Sequence, residues 1–135
     1  MKQVLQPADW PRPRGYANGV AASGRQVFVA GMVGWNAEGV FESDDLVDQV
    51  RQALVNVRSV LAQGHAGPEH MVRMTWYLVD RREYLARARE IGAAYREVMG
   101  GHYEVAMSAV QVVALMEARA KVEIEVTAVV PRSEA

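Results

Sequence analysis

Residues 121–130 alternate strictly. Val122, Ile124, Val126 and Ala128 fall on one side of a two-residue period, and Lys121, Glu123, Glu125 and Thr127 fall on the other. This is the pattern of a strand in a sheet with one apolar face, and it sets two carboxylates, Glu123 and Glu125, side by side on the second face. A further β-rich run over 108–115 begins directly after Ala106-Met107. A short link through Met116 and Glu117 makes the two runs candidate neighbours that present Met107 and Glu123 near a common pocket. An ordinary antiparallel pair with a solvated acidic face is the other reading of the same period.

The rest of the chain has to weigh between them. A sequence of 135 residues, half of it hydrophobic, fits one domain over 1–135 that buries enough surface to fold without staples. With no cysteine, disulfides and thiolate metal sites are excluded, and a cytoplasmic setting is expected. No leader-like start and no bilayer-length apolar run is present, so no membrane partner is expected. Lys and Arg number 15 against 16 Asp and Glu, a net charge of -1 that offers no broad attraction for nucleic acid. The arginines at 81, 82, 87 and 89 are interleaved with Asp80, Glu83 and Glu90, as on a solvated helix face.

Punctuation along the chain orders the elements. The segment through Pro7, Pro11 and Pro13 is too proline-rich to be regular, and it runs into the turn-prone stretch Arg14-Gly15-Tyr16-Ala17-Asn18-Gly19. Residues 26–31 read as a buried strand, followed by a loop or hairpin at Gly34-Trp35-Asn36 and Glu38-Gly39. From Ser43, read as an N-cap, Leu46, Val50, Ala53, Val57 and Leu61 recur at helical spacing until Gly64. Residues 70–79 are strand-like. A second helix carries Tyr84, Ala88, Ile91, Tyr95 and Val98 on its apolar stripe and ends at Gly100-Gly101. Strands, helix, strand, helix, strand, strand is the order of an α+β layer structure, with two helices packed on one face of a mixed sheet. Residues 27–30 and 110–113 are apolar at both parities, which predicts a sheet whose second face is also covered, by other copies of the chain in a closed homo-oligomer.

Five sequence words in this order resemble the Rid family of reactive intermediate deaminases, also called the YjgF or L-PSP endoribonuclease-like family. They are Gly15-Tyr16; Val29-Ala30-Gly31; Gln49-Val50-Arg51-Gln52-Ala53-Leu54-Val55-Asn56-Val57; Tyr77-Leu78-Val79-Asp80; and Lys121-Val122-Glu123-Ile124-Glu125. The resemblance extends from about residue 16 to residue 130. It implies a chorismate-mutase-like fold assembling as a homotrimer, with ligand clefts between subunits. In deaminating members an arginine at the start of the fifth strand grips the carboxylate of a 2-imino or enamine acid, and a glutamate on the last strand positions the attacking water. An N-terminal tyrosine and the first strand's glycine complete the cleft.

Carried over, the glutamate falls on Glu123, the tyrosine on Tyr16 and the glycine on Gly31, while the arginine falls on Met107. The usual Pro-Ala-Arg-Ser reads Val105-Ala106-Met107-Ser108, the usual Gly-Gln reads Gly31-Met32, and an often-asparagine position on the second helix reads Gly92. The run His102-Tyr103-Glu104-Val105-Ala106-Met107 resembles the YjgH-like branch, which lacks the arginine. Methionine makes no bidentate pair with a carboxylate, so the standard substrate loses its main anchor.

The candidate catalytic residue is therefore Glu123, with Tyr16, Gly31, Met32, Trp35, Gly92, His102, Tyr103 and Met107 as substrate-binding candidates. Met32, Trp35, Tyr103 and Met107 predict an apolar pocket for a planar or aromatic small molecule. Arg14 is a candidate anchor from another direction. His65 and His70 lack the spacing of a helical ligand pair, and there is no phosphate-binding glycine loop or zinc motif, so neither metal nor cofactor is expected. Two functions stay open. One is a hydrolase or tautomerase acting on an enamine or imine; the other is a non-catalytic ligand-binding paralogue.

Overall fold

In the computed structural model, which describes residues 2–134, a four-stranded mixed sheet carries the helices on one face. Chain order is β1 (Lys2–Leu5), β2 (Gly19–Ala22), β3 (Arg25–Val33), α1 (Leu46–Gln63), β4 (Met71–Leu78), α2 (Arg81–Ala86), α3 (Ala88–Met99), β5 (Ala106–Gln111) and β6 (Val122–Val130). The main sheet runs β3-β6-β4-β5, and β1 and β2 form a separate antiparallel pair. β4 and β5 are parallel, joined by the crossover through α2 and α3, whereas β6 lies antiparallel to both of its neighbours.

That order corrects one expectation. β6 is inserted between β3 and β4, so β5 and β6 are not neighbours. Met107 pairs with Met74, and Glu123 pairs with Tyr77 and Val33. The link after β5 is long enough to pass over β4, because β5 already ends at Gln111 and its apolar continuation is loop, with Val113 and Met116 exposed.

The helices form where the apolar spacing placed them. Leu46, Val50, Ala53, Val57 and Leu61 of α1 are buried, as are Ile91, Tyr95 and Val98 of α3. They close on Val29, Met74, Trp76, Ile124 and Val126 of the sheet to make the main core. The N-cap of α1 is Asp45, whose carboxylate accepts from the Asp48 amide. Ser43 instead supports it, its hydroxyl accepting from the Asp45 amide and donating to Asp48. The expected single second helix is broken by one residue at Arg87. β1 forms despite the nearby prolines because all of them lie beyond its last residue, and it pairs with β2 through Lys2↔Ala22 to Leu5↔Gly19.

No described element covers the sheet's other face. It presents Arg73, Thr75, Tyr77, Glu123, Glu125 and Thr127, with Phe28 69% exposed among them. β4 and β6 alternate, whereas the two strands read as apolar at both parities do place apolar side chains on this face, Phe28 and Val33 on β3 and Val110 on β5. No described helix is long and apolar enough to cross a membrane.

Candidate functional site

A cleft of about 450 Å³ opens between the N-terminal loop, α3 and the start of β5, within the range of small-molecule sites. Its position follows from local pairing. Ala17 bridges to Ala106, and its amide donates to the Val105 carbonyl at 2.9 Å, which fixes Gly15 and Tyr16 at the cleft mouth beside Met107. From α3 come Ile91, Gly92 and Tyr95; from β4 comes Trp76; from the turn before β5 comes Tyr103. Tyr16, Gly92, Tyr103 and Met107, all marked by the sequence, therefore line one cavity.

Its walls are aromatic. Tyr95 and Tyr103 stack with ring centroids 5.2 Å apart, and Trp76 meets Tyr84 edge-on at 6.1 Å, arrangements that favour flat apolar ligands. The Tyr95 hydroxyl donates to the His102 carbonyl at 2.6 Å. Burial raises the pKa of the Tyr95 and Tyr84 phenols, since a phenolate is disfavoured away from water; both are neutral at physiological pH. Arg14 is the sole charged side chain lining the cleft, and it is exposed. At Gly92 an added Cβ would meet nothing nearer than Arg96 Nη1 at 3.7 Å, so the glycine widens the cleft without being required by packing.

Glu123 lies elsewhere. On the alternating strand β6 it points away from the face that carries Val126, and Val126 aligns through Met74 with Met107. Within one protomer Glu123 and Met107 are thus on opposite sides of the sheet. Glu123 is half-buried against the Gly31 backbone, where a Cβ would overlap its carboxylate. Beside it on the same face Tyr77 donates a short hydrogen bond to Glu125, and this bond is the main reason the Tyr77 phenol is held above its usual pKa. The candidate residues marked in the sequence therefore fall on both faces of the sheet.

The remaining candidates are dispersed. Met32 is half-buried against the main core. Trp35 packs on Phe41 at 5.7 Å in a small separate cluster with Val33 and Ala120. Neither joins Met107 and Tyr103 within the protomer. His102 is exposed and contributes its carbonyl to Tyr95. His70 is structural: its Nδ1 accepts from the Gly67 amide and its Nε2 lies 2.8 Å from Glu134. The described residues contain no cluster of three or more potential metal ligands.

Trp76, Tyr84 and Tyr95 also wall the cleft, although the local pattern marks them only as strand or stripe residues. The available signal was that the stripe is made of tyrosines, whose polar ends need partners when buried. The α1 word of the resemblance proves architectural. Gln49, 1% exposed, donates to the Ser43 and Arg119 carbonyls and accepts from the Lys121 amide. Asn56 donates to the Val33 and Trp35 carbonyls, so both amides clamp the loops that flank β3 and β6.

A family model described as Endoribonuclease L-PSP matches residues 10–130. A RutC family protein of Synechocystis is 28% identical over 131 residues, 96% of this chain and 97% of the relative. Another from Pyrococcus horikoshii is 28% identical over 96 residues, 70% of this chain and 75% of its own. Among solved structures, a protein of unknown function of the conserved Rid protein family from Yersinia pestis superposes with a TM-score of 0.84 at 32% identity, over 96% of this chain and 98% of that one. A Mycobacterium tuberculosis member of the YjgF/YER057c/UK114 family gives 0.64 at 33%, over 87% and 88%. With a family model matched over residues 10–130 and a superposition at 32% identity that covers nearly the full length of both chains, the chain belongs to the L-PSP family, the Rid or YjgF family that its sequence resembles.

Proposed function

We propose that the protein binds a small planar molecule in the aromatic cleft and that Glu123 of a neighbouring copy acts on it, hydrolysing or tautomerising an enamine or imine. The observation that carries this reading is the cleft itself, where Tyr16, Gly92, Tyr103 and Met107 converge on a cavity of about 450 Å³. Support for a second copy comes from the placement of Glu123 and Gly31 on the bare face, together with the inter-subunit clefts implied by the resemblance. In hydrolysis an enamine takes a proton at carbon to become the imine. Water, losing its proton to the Glu123 carboxylate, adds to the C=N carbon as the π pair moves to nitrogen, Glu123 returns that proton to the nitrogen, and the carbinolamine collapses to a carbonyl compound and ammonia.

Met107 separates this protein from a standard 2-imino acid deaminase. A charge-assisted carboxylate contact is worth about 2 to 5 kcal/mol, and a thioether offers none of it. Turnover of 2-aminoacrylate or branched-chain 2-imino acids in a coupled assay is expected to be at least about thirtyfold below that of an arginine-bearing relative, and Met107→Arg is expected to raise it. Wild-type turnover equal to the relative's overturns the atypical-substrate reading. The second reading, a binding paralogue without catalysis, is favoured by the same methionine; it replaces the first if Glu123→Gln leaves every measured turnover unchanged. A ribonuclease reading gains no support, because a cleft with one exposed arginine lacks the basic track that holds a phosphate backbone.

A further inference from the structure

Charge around the cleft is one-sided. Arg14 lines it, and no Asp or Glu does. A second arginine borders the opening from α3. Arg96 follows Gly92 by four residues, one helical turn, and its Nη1 lies 3.7 Å from where a Cβ on Gly92 would stand, with no other side chain within 4 Å of that point. Gly92 itself lines the cleft, so the Arg96 guanidinium sits beside the space that the glycine leaves open. Among the described residues neither Arg14 nor Arg96 has a carboxylate partner, unlike Arg51, Arg87 and Arg119. One unpaired surface arginine is ordinary; two at the edge of an acid-free cavity bias it towards anions.

We propose that Arg14 and Arg96 hold an anion at the rim of this cleft, so that its ligand is a planar, conjugated molecule with one oxyanion group, a carboxylate or a phosphate, left at the mouth. This inference rests on the reading of the cleft as the ligand site and specifies what enters it. The guanidinium fork matches either oxyanion. The charge stays at the rim because both arginines are exposed, whereas Ile91 is buried, Met107 is half-buried and neither offers a charge any partner. The conjugated body goes inward, where Tyr84, Tyr95 and Ile91 supply aromatic and apolar surface. A cavity of about 450 Å³ has room for fused rings, and a three-carbon imino acid held at the rim would leave that surface unfilled. The rim thus selects charge, and the wall selects flat apolar area.

Titration of the intact protein with 2-naphthoate, 2-naphthyl phosphate and the neutral 2-naphthamide, followed by NMR, separates the terms. Exposed ion pairs are weak and screened by salt, so the expected effects are modest and salt-dependent. At about 10 mM salt the two anions are expected to bind about five- to tenfold more tightly than 2-naphthamide, a preference that falls below about twofold at about 1 M. The tighter of the two anions identifies the oxyanion that the ligand carries. Arg14→Gln and Arg96→Gln are each expected to weaken anion binding about threefold, and together to abolish the preference, while 2-naphthamide stays within about 1.5-fold. Both positions are exposed, and unchanged 2-naphthamide binding reports an intact cleft. Arg25→Gln, on the strand at the opposite edge of the sheet from β5, removes the same charge and is expected to change nothing. Anions that bind no more tightly than 2-naphthamide, or a double variant that keeps the preference, overturn the rim anchor and leave the cleft reading standing. Failure of all three compounds to bind removes the cleft reading and the anchor together.

Discussion

Gly31 and Glu123 act as one unit, because the carboxylate occupies the space a Cβ would need. The overlapping atoms are the far end of a flexible, half-exposed side chain, so a methyl at position 31 is accommodated by moving the carboxylate and not the backbone. Gly31→Ala is therefore expected to leave Tm within about 2 °C of wild type while reducing turnover of a substrate nearly as far as Glu123→Gln. The latter is expected to cost about a hundredfold or more in kcat, as loss of a positioned acid-base group does. A Gly31→Ala protein with full turnover would separate the two residues and remove Glu123's present position from the mechanism. Gly34 differs in kind, since a Cβ there would press on the Gln49 backbone and has no flexible neighbour to displace.

At the level of elements, Arg87 ties the break between α2 and α3 to the start of α1. Its guanidinium donates to Asp45 at 2.7 Å and to both oxygens of Glu90 at 2.9 Å. Asp45 is the α1 N-cap, so one side chain couples the capping of one helix to the first turn of another. Hydrogen bonds from Arg87 are the leading cause of lowered pKa at both carboxyls. Carboxyls depressed on folding contribute stability above their unfolded values, ordinarily 3.8 for Asp and 4.5 for Glu, and lose it as pH falls through the folded values. Arg87→Met is accordingly expected to lower Tm at pH 7, and the difference from wild type is expected to shrink as pH falls below these ordinary values and through the lowered folded ones. A difference independent of pH would place the effect of Arg87 in its packing.

For the whole molecule, the bare sheet face is the dominant feature. Phe28 is 69% exposed there, beside half-buried Thr75, Glu125 and Thr127. We expect light scattering at micromolar concentration to give three times the chain mass, with each interface well above about 1,000 Å². Phe28→Glu, which adds a charge to that face, is expected to weaken assembly about thirtyfold or more and to lower turnover with it, since on the proposed reading Glu123 acts on the cleft of a neighbouring copy. A monomeric mass for the wild type would leave Glu123 without a cleft to serve and favour the binding paralogue.

The sequence by itself determined the elements and marked four residues that come together in space. The period of β6, the stripes of α1 and α3, and the stops at Gly64 and Gly100 are local signals, set by which side chains reach a core three, four or two residues apart. Tyr16, Gly92, Tyr103 and Met107 were marked by matching short motifs, and they converge on one cleft. Strand order was decided only in three dimensions. The insertion of β6 between β3 and β4 depends on long-range pairing that no local period encodes, and it is what puts Glu123 and Met107 on opposite faces. Likewise, nothing in the pattern around Trp76 distinguishes a core tryptophan from one whose indole N–H has no partner. That difference arises from which acceptors the folded chain brings within reach, and here it brings none.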